Sequence, residues 1–256
     1  VALVIVIKLG GRVQSDSALI PAIAEMWRSA PKEICIVHGG GDEISLLQRT
    51  LGREPLFVNG RRITTNEDID LVRMVLSGSA NKRLVSSLGA AGIPAVGISG
   101  EDGGLVAAEP INVREFGRSG KPVSASVDLL TTLLSAGFLP VISPVATDVT
   151  SEQGAALNVN GDDTAAVIAA ALRAELWLIA DVAGVLDANR ELMTSLDPIQ
   201  VDTLVAEGTV NSGMRAKLEA GFDALAAGAA NVRIAGLDAL TGKEMGTLLS
   251  LTPSMT

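Results

Sequence analysis

Two glycine turns, each at the end of an apolar run, carry the residues best suited to chemistry in this chain. Residues 1–7 lead into Lys8-Leu9-Gly10-Gly11, and residues 34–37 lead into His38-Gly39-Gly40-Gly41. Glycines let backbone N–H groups approach an anion closely, and a helix that begins just after the turn adds the positive end of its dipole. The two turns therefore predict a site that handles phosphate or another anion. In the alternative interpretation the glycines only connect elements.

Two motifs further along the chain supply charged side chains. Asn160 and Gly161 have the pattern of a helix cap, with Asp162 in the first helical turn. Lys217 lies about one turn inside an alanine-rich helix predicted after residues 210–213. Each motif also has a purely structural interpretation, because first-turn carboxylates complement the helix dipole and a lone helical lysine is usually solvated.

Phosphoryl transfer gives a reason for these residues to act together. The transferred group carries its charge on three oxygens, so catalysis depends mostly on positioning and on stabilisation by lysines, backbone amides and Mg²⁺. Lys8 and Lys217 suit that role, and a carboxylate between them, Asp162, would keep both charged and oriented. The chain contains neither G-x-x-x-x-G-K-[ST] nor a protein-kinase glycine loop with its H-R-D partner, which excludes the two commonest kinase designs.

The elements that position these residues alternate between strands and helices. Such alternation is typical of βαβ units with a mainly parallel sheet, whose ligands bind outside the carboxyl ends of the strands. Buried strands are predicted at residues 1–7, 34–37, 94–98, 139–143 and 176–180, and helices at 17–29, 42–51, 66–88, 127–136 and 165–172. Asn59-Gly60 predicts a type I′ turn in a hairpin over residues 57–64, and residues 101–123 predict a pair of short strands with loops.

Composition narrows the class of protein. The 256 residues are 48% hydrophobic with a mean hydropathy of +0.39 and can bury a large core, in one domain or two closely joined lobes. A net charge of −9 with 2% aromatic residues argues against a nucleic-acid surface. No run approaches the roughly 20 apolar residues of a membrane span, and residues 1–7 are followed by Lys8 and glycines without a basic leader or a small-residue cleavage pattern, so neither membrane insertion nor export is expected. Cys35 is the single cysteine, in a predicted buried strand. A cytoplasmic globular protein is predicted.

Taken together, the motifs resemble those of the acetylglutamate kinases in the amino acid kinase superfamily. The likeness covers nearly the whole chain, and although each motif is weak singly, their shared order is highly specific. The resemblance rests on seven motifs: Lys8-Leu9-Gly10-Gly11, His38-Gly39-Gly40-Gly41, Gly60-Arg61-Arg62-Ile63-Thr64, Asn81-Lys82-Arg83, Asn158-Val159-Asn160-Gly161-Asp162, Asp181-Val182-Ala183-Gly184-Val185 and Gly213-Met214-Arg215-Ala216-Lys217.

The resemblance implies a fold, a reaction and an assembly. The fold is a three-layer αβα sandwich with a central, mainly parallel open sheet. Residues 1–172 would bind the amino-acid substrate and mediate dimerisation, and residues 173–256 would bind ATP. The reaction is transfer of the ATP γ-phosphoryl group to the side-chain carboxylate of N-acetyl-L-glutamate, the second step of arginine synthesis. Mg²⁺ would bind to the nucleotide phosphates with no metal ligands from the chain, and the enzyme would be a homodimer.

The resemblance also assigns roles to individual residues. Lys8 and Lys217 would stabilise the transition state and Asp162 would organise them. The amides of Gly10 and Gly11 would bind the phosphoryl group, Gly40 and Gly41 the acceptor carboxylate, and Arg62 and Asn158 the α-carboxyl end of the substrate. The nucleotide would be lined by Asp181, Val182, Ala183, Gly184, Val185, Leu186, Thr209, Val210 and Asn211. No general base is needed, because the acceptor carboxylate is ionised at neutral pH, so His38 is interpreted as structural.

Some positions depart from the family pattern, and some alternatives stay open. Gly161 stands where alanine is usual, and Arg61 beside Arg62 leaves open which arginine points inward, although the family register favours Arg62. Members inhibited by arginine usually carry an extra N-terminal helix, so we expect a dimer without that feedback; residue 1 is valine, which leaves open whether residues precede it. The alternatives are a kinase for carrier-linked α-aminoadipate, more distantly uridylate, carbamate or aspartate kinases, and a non-catalytic nucleotide sensor.

Overall fold

The apolar runs of the sequence form the strands of one large sheet. The computed structural model describes residues 3–58, 60–243 and 245–252. The strands are β1 (Ile5–Leu9), β2 (Ile34–His38), β3 (Phe57–Val58), β4 (Arg61–Arg62), β5 (Ala95–Ser99), β6 (Val106–Pro110), β7 (Ser119–Ala125), β8 (Leu139–Ser143), β9 (Val145–Asp148), β10 (Ala156–Val159), β11 (Glu175–Ile179), β12 (Ser195–Leu196), β13 (Asn231–Ala235) and β14 (Thr247–Leu249). Eight of them form a sheet in the order β12-β14-β13-β11-β1-β2-β8-β5.

Helices connect these strands and cover both faces of the sheet. They are α1 (Leu19–Ser29), α2 (Gly41–Thr50), α3 (Asp68–Arg73), α4 (Asn81–Ala90), α5 (Val113–Phe116), α6 (Asp128–Ser135), α7 (Gly161–Leu172), α8 (Pro198–Ala206) and α9 (Ser212–Ala226). From β5 to β13 neighbouring strands pair in parallel, and the pairing between β13 and β14 is antiparallel. The sheet is therefore mainly parallel, as the sequence predicts.

Alternate side chains of each strand enter two separate cores. Val6 of β1 packs in the core that contains Ala165 of α7 and Leu218 of α9. Its neighbour Ile7 packs in the second core, with Ile23 of α1 and Leu88 of α4 among its members. Because successive residues of a strand point to opposite faces, helices lie on both sides of the sheet. The predicted three-layer αβα arrangement is confirmed.

The predicted helix over residues 66–88 consists of three segments. α3 begins at Asp68, residues Met74–Ala80 form a π-helix, and α4 continues to Ala90. A π-helix has i→i+5 hydrogen bonds and accommodates an extra residue, which hydrophobic periodicity alone does not reveal. The prediction was right about the helical character and wrong about its regularity and ends.

A small closed barrel and a hairpin complete the fold. Strands β6 and β7 confirm the pair of short strands predicted over residues 101–123, and with β9 and β10 they close into a four-stranded barrel. The sequence predicted neither β9 and β10 nor, elsewhere in the chain, β12, β13, β14, α5 and α8. Strands β3 and β4 pair antiparallel, which confirms the hairpin, whereas the predicted turn type depends on Asn59, outside the described residues. In the described part of the chain no helix is both long and apolar enough to cross a membrane.

Candidate active site

Three charged residues from three elements meet at the carboxyl edge of the sheet, of which Lys8 and Asp162 are buried and Lys217 is half-buried. Lys8 lies near the end of β1, Asp162 is the second residue of α7, and Lys217 is the sixth residue of α9. The Nζ atom of Lys8 lies 2.8 Å from Oδ1 of Asp162, and the Nζ atom of Lys217 lies 3.0 Å from Oδ2. One carboxylate thus holds two ammonium groups that are distant in the sequence, as the sequence predicts.

This cluster carries more positive than negative charge. Burial would raise the pKa of Asp162, but the charges of Lys8 and Lys217 outweigh burial and lower that pKa below its usual value. Burial lowers the pKa of Lys217, and the nearby positive charge of Lys8 lowers it further. Asp162 is therefore an anion, and two lysines share its single negative charge. An additional anion bound beside them would relieve their repulsion.

The start of α7 is built to orient Asp162. The Oδ1 atom of Asn160, the N-cap residue, accepts a hydrogen bond of 2.7 Å from the backbone N–H of Asp162. A Cβ atom at Gly161 would lie 3.2 Å from Cε of Lys8, a tighter contact than most side chains make. Glycine at 161, where the family pattern has alanine, thus leaves additional room for the Lys8 side chain.

Two cavities meet at this cluster. The first has a volume of about 350 Å³, and its lining includes Lys8. The second has a volume of about 900 Å³, and its lining includes Lys217. The residues that border both cavities are Arg12, Gly60, Arg61, Asn160 and Asp162. The lysine pair and its carboxylate therefore lie where a ligand in one cavity would face a ligand in the other.

Arg62 is fixed at the wall of the first cavity by helix α2. Its Nη2 atom donates to the carbonyl oxygen of Gly41 at 2.7 Å and to Oγ of Ser45 at 2.8 Å, and its Nη1 atom donates to Gln48. The guanidinium also lies 4.7 Å from the centre of the Phe57 ring. Burial lowers the pKa of Arg62 below the ordinary arginine value. Because the arginine pKa lies far above neutral, the guanidinium stays charged. This buried position agrees with the register that favours Arg62 as the inward arginine.

Asn158 lies across the first cavity, at the end of the barrel strand β10. Its Nδ2 atom donates to Oγ1 of Thr64 at 2.9 Å. Thr64 in turn accepts a hydrogen bond from Oγ of Ser119 at 3.1 Å. The hairpin, the barrel and the cavity wall are thus linked by side-chain hydrogen bonds, and the structure brings Asn158 and Arg62 to the same cavity.

The two glycine turns differ in the hydrogen bonds of their backbone and in which glycines line the cavities. The N–H of Gly10 donates to the carbonyl oxygen of Ile179 at 2.9 Å, so this amide serves the fold and Gly10 does not line either cavity. Gly11 lines the first cavity. Gly40 and Gly41 line it as well, and a Cβ atom at Gly40 would lie 2.7 Å from Cδ2 of Leu76. A side chain at position 40 would therefore have to displace the end of the Leu76 side chain of the π-helix.

His38 is buried next to the second glycine turn and contacts the backbone of that turn. It is fully buried, its Nδ1 atom lies 2.8 Å from the carbonyl oxygen of Gly39, and its Nε2 atom lies 3.1 Å from Nδ2 of Asn81. An amide donor on Nε2 fixes the neutral tautomer with the proton on Nδ1. Burial lowers the pKa of His38, in agreement with a neutral ring. These contacts favour the structural role expected from the sequence.

The predicted nucleotide residues fall into two groups. Asp181, Val182 and Asn211 line the second cavity. The other predicted residues, Ala183, Gly184, Val185, Leu186, Thr209 and Val210, lie outside its lining. Val185, for example, is buried and its N–H donates to Oγ1 of Thr247 at 2.8 Å. The sequence analysis assigned no role to Arg12 or Arg61, which border both cavities; their positions next to the glycine motifs are the signal that could have indicated them.

Comparisons with known proteins agree with this geometry. The sequence description of the amino acid kinase family matches residues 4–236. The chain belongs to the amino acid kinase family. It is 43% identical over 226 residues to the acetylglutamate kinase of Paracoccus denitrificans, covering 87% of this chain and 73% of the relative. It is 40% identical over 223 residues to the acetylglutamate kinase of Geobacillus stearothermophilus, covering 86% and 85% of the two chains.

Solved structures share the fold. A crystal structure from Streptococcus mutans UA159 matches with a TM-score of 0.84 at 27% identity and covers 97% of this chain and 99% of that chain. Carbamate kinase from Giardia lamblia matches with a TM-score of 0.69 at 15% identity, which concerns the fold alone. Membership of this family identifies the chain as a kinase.

Proposed function

We propose that this enzyme transfers the γ-phosphoryl group of ATP to the side-chain carboxylate of N-acetyl-L-glutamate. The observation that carries the proposal is the Lys8–Asp162–Lys217 cluster at the junction of two cavities. A phosphoryl group that moves from one cavity to the other passes beside both lysines. The choice of acceptor is supported by the names of the relatives and by Arg62 and Asn158, polar groups of the first cavity that are able to bind a carboxylate.

The chemistry requires positioning more than proton transfer. A carboxylate oxygen of the acceptor attacks the γ-phosphorus, the bond to the bridging oxygen breaks, and ADP leaves. Lys8 and Lys217 stabilise the charge that spreads over the equatorial oxygens, and Asp162 keeps the two ammonium groups oriented toward it. The amide of Gly11 is the phosphoryl donor we assign in the first turn, because the amide of Gly10 is engaged with Ile179.

The two cavities receive the two substrates. In the first, Gly40 and Gly41 would hold the reacting carboxylate and Arg62 with Asn158 the α-carboxylate. A volume of about 900 Å³ suits the second cavity to a nucleotide. Residues 1–172 would accordingly form the amino-acid lobe and residues 173–256 the nucleotide lobe.

Magnesium would enter with the nucleotide. No group of three acidic, histidine or cysteine side chains in the described ranges could hold a metal ion. Asp162 is engaged with two lysines, and Asp181 pairs with Arg12 at 2.9 Å. Mg²⁺ keeps several water ligands and is commonly held through substrate phosphates, so nucleotide-borne Mg²⁺ fits this donor set. It would neutralise phosphate charge that the lysines do not reach.

Hydroxylamine trapping of the acyl phosphate tests the acceptor directly. Purified enzyme is incubated with ATP, Mg²⁺ and hydroxylamine, and hydroxamate is measured with N-acetylglutamate, glutamate or acetylated α-aminoadipate. We expect hydroxamate with N-acetylglutamate and far less with the other two. Absence of hydroxamate with N-acetylglutamate would overturn the proposal, and a preference for the aminoadipate compound would replace the substrate. Nucleotide binding without any hydroxamate would indicate a sensor.

The proposal includes a homodimer in the cytoplasm. Strand β5 forms one edge of the eight-stranded sheet, and an edge strand can pair with a second copy. The cytoplasmic location rests on Cys35, a buried free thiol that suits a reducing compartment. Light scattering on the purified protein should give twice the chain mass, and a monomer mass at micromolar concentration would contradict the homodimer.

A further inference from the structure

Arg61 occupies a position at the junction that the assigned roles do not use. It follows the hairpin turn and precedes Arg62, and its side chain borders both cavities. Adjacent residues of a strand point to opposite faces, so Arg62 enters the buried network of α2 while Arg61 points toward α7. Arg61 therefore places a guanidinium beside Asp163, the residue that follows Asp162, and both Arg61 and Asp162 border the two cavities.

A half-buried carboxylate holds Arg61 in that position. Its Nη1 atom lies 3.2 Å from Oδ2 of Asp163, with side-chain exposures of 34% and 15%. Asp163 directly follows Asp162 in α7, so the first turn of one helix positions both the lysine pair and Arg61. Arg12 also borders both cavities, but it and its partner Asp181 are 83% and 49% exposed. Exposed ion pairs gain little from their attraction. The better shielded pair with Asp163 therefore orients Arg61 more firmly than Asp181 orients Arg12.

The ion pair leaves part of the guanidinium available to a ligand. Arginine has five N–H donors, and the planar group binds phosphate oxygens well. At the junction, Lys8 and Lys217 share one negative charge with Asp162, whereas a nucleotide triphosphate brings several negative charges. A third cation held at the same border would contact oxygens that two lysines leave unsatisfied.

We infer that Arg61 binds an oxygen of the terminal phosphate of the nucleotide and that Asp163 is the positioning residue that holds it there. The inference rests on the proposed function in taking a nucleoside triphosphate as the donor. It adds a phosphate-binding residue from the hairpin, on the acceptor side of the junction. The hairpin thus contributes to both substrates, through Arg62 to the acceptor and through Arg61 to the donor.

Calorimetric titration with AMP, ADP and AMP-PNP at fixed Mg²⁺, without any acceptor, tests the inference. Replacement Arg61→Gln should weaken AMP-PNP binding about tenfold, or about 1.4 kcal/mol. The effect on ADP should be smaller, and AMP affinity should be unchanged. Asp163→Asn should weaken AMP-PNP binding about threefold, or about 0.65 kcal/mol, in the parent protein but not in the Arg61→Gln background.

Lys121→Gln is the matched control. Lys121 forms an ion pair with Asp223 at 3.5 Å and lies near Asp163, but it lines neither cavity of the site. Its replacement should leave all three affinities unchanged, and circular dichroism confirms that each variant is folded. If Arg61→Gln does not fold, Arg61→Lys should still show a selective loss for AMP-PNP, because lysine cannot form the same planar pair.

Unchanged affinities, or an equal loss for AMP, ADP and AMP-PNP, would overturn the inference. An equal loss would show that Arg61 only shapes the cavity. Failure of the parent protein to bind AMP-PNP would instead overturn the donor of the proposed function, and the inference with it. Absence of the hydroxamate with N-acetylglutamate leaves the nucleotide measurement unaffected, so the two failures are distinguishable.

Discussion

Asp162 holds two lysines together at the site, but its single negative charge does not neutralise both of them. Lys217 is largely shielded from water and lies near Lys8, so its pKa is below the usual lysine value in the unliganded protein. An ammonium group with a lowered pKa gains more from a bound anion than a solvated one does. The positive charge is therefore concentrated where phosphoryl oxygens would lie.

The lowered pKa of Lys217 predicts a difference between two pH profiles. Raising the pH deprotonates Lys217, and the free enzyme loses this charge below the pH at which an ordinary lysine loses it. Bound phosphate stabilises the ammonium form, so the alkaline limb of kcat should lie at higher pH than that of kcat/KM. Steady-state kinetics across the alkaline range measure both limbs. Coinciding limbs would contradict the assignment, and Lys217→Arg, if active, should remove the limb.

Arg62 predicts a loss confined to one substrate. Hydrogen bonds to charged groups contribute about 1.5–3 kcal/mol, so Arg62→Gln should raise the KM for N-acetylglutamate about 10- to 150-fold. The KM for ATP should change little. Arg53→Gln is the control, because Arg53 pairs with Asp68 at 3.1 Å and does not line the cavities. An equal rise in both KM values would indicate a general disturbance of the site.

The sequence predicted these individual residues better than it predicted their contacts. Lys8, Asp162 and Lys217 were recognisable because glycine turns and a helix cap mark them locally. The Arg61–Asp163 pair joins residues 102 positions apart, and no local pattern encodes such a contact. For the same reason, the sequence did not reveal that the amide of Gly10 donates to the carbonyl oxygen of Ile179 in a neighbouring strand.

At the scale of elements, β5 and α4 support the second glycine turn through one asparagine. Asn81, the first residue of α4, donates to the carbonyl oxygen of Val141 at 2.9 Å and contacts His38. A Cβ atom at Gly97 of β5 would overlap Oδ1 of Asn81. Glycine at 97 therefore permits the contact between strand and helix that keeps His38, and through it Gly39, in place.

Gly97→Ala should consequently destabilise the protein and disturb the site. Overpacking of a well-packed interior costs about 1–3 kcal/mol, so urea unfolding should show a loss of that size together with a raised KM for the acceptor. Gly89→Ala is the control, because it lies in α4 and a Cβ atom there meets nothing within 4 Å. It should leave the stability unchanged or raise it. Unaltered stability in Gly97→Ala would show that Asn81 is free to move.

The sequence did not predict seven elements, most of them short: β9, β10, β12, β13, β14, α5 and α8. The exceptions are β13, a five-residue strand of the main sheet, and α8, a helix of nine residues. Strands β9 and β10 have four residues each, too few for alternation to be distinguished from a loop. The π-helix places Leu76 close to Gly40, a tertiary contact that no local pattern records. Five buried strands were predicted from continuous apolar runs. The predicted helices were recognised from a periodicity that records which face is buried.

At the scale of the whole molecule, one sheet joins the two proposed lobes. Strand β1 pairs in parallel with β11 from the second lobe over five residues on each strand. The cluster of Lys8, Asp162 and Lys217 lies at this junction. Relative motion of the lobes would require this strand pair to separate, so we expect the site to depend on a single cooperative structure.

The two tryptophans allow that expectation to be measured. Trp27 lies in α1 and Trp177 in β11, one in each proposed lobe. Trp27→Phe and Trp177→Phe each leave one fluorescent reporter. In each variant the urea midpoint from fluorescence should coincide with that from far-UV circular dichroism. Separate midpoints would show that the lobes unfold independently.

The central claim is that the two lysines act on the phosphoryl group in flight, and kcat at saturating substrates tests it most directly. Lys8→Ala and Lys217→Ala should each lower kcat by about 10² or more while both KM values stay within a few-fold, because transition-state charge is what they stabilise. Lys32→Ala, outside both cavities, should leave kcat unchanged. An unchanged kcat with raised KM values would show that the lysines only bind substrate and would contradict the claim.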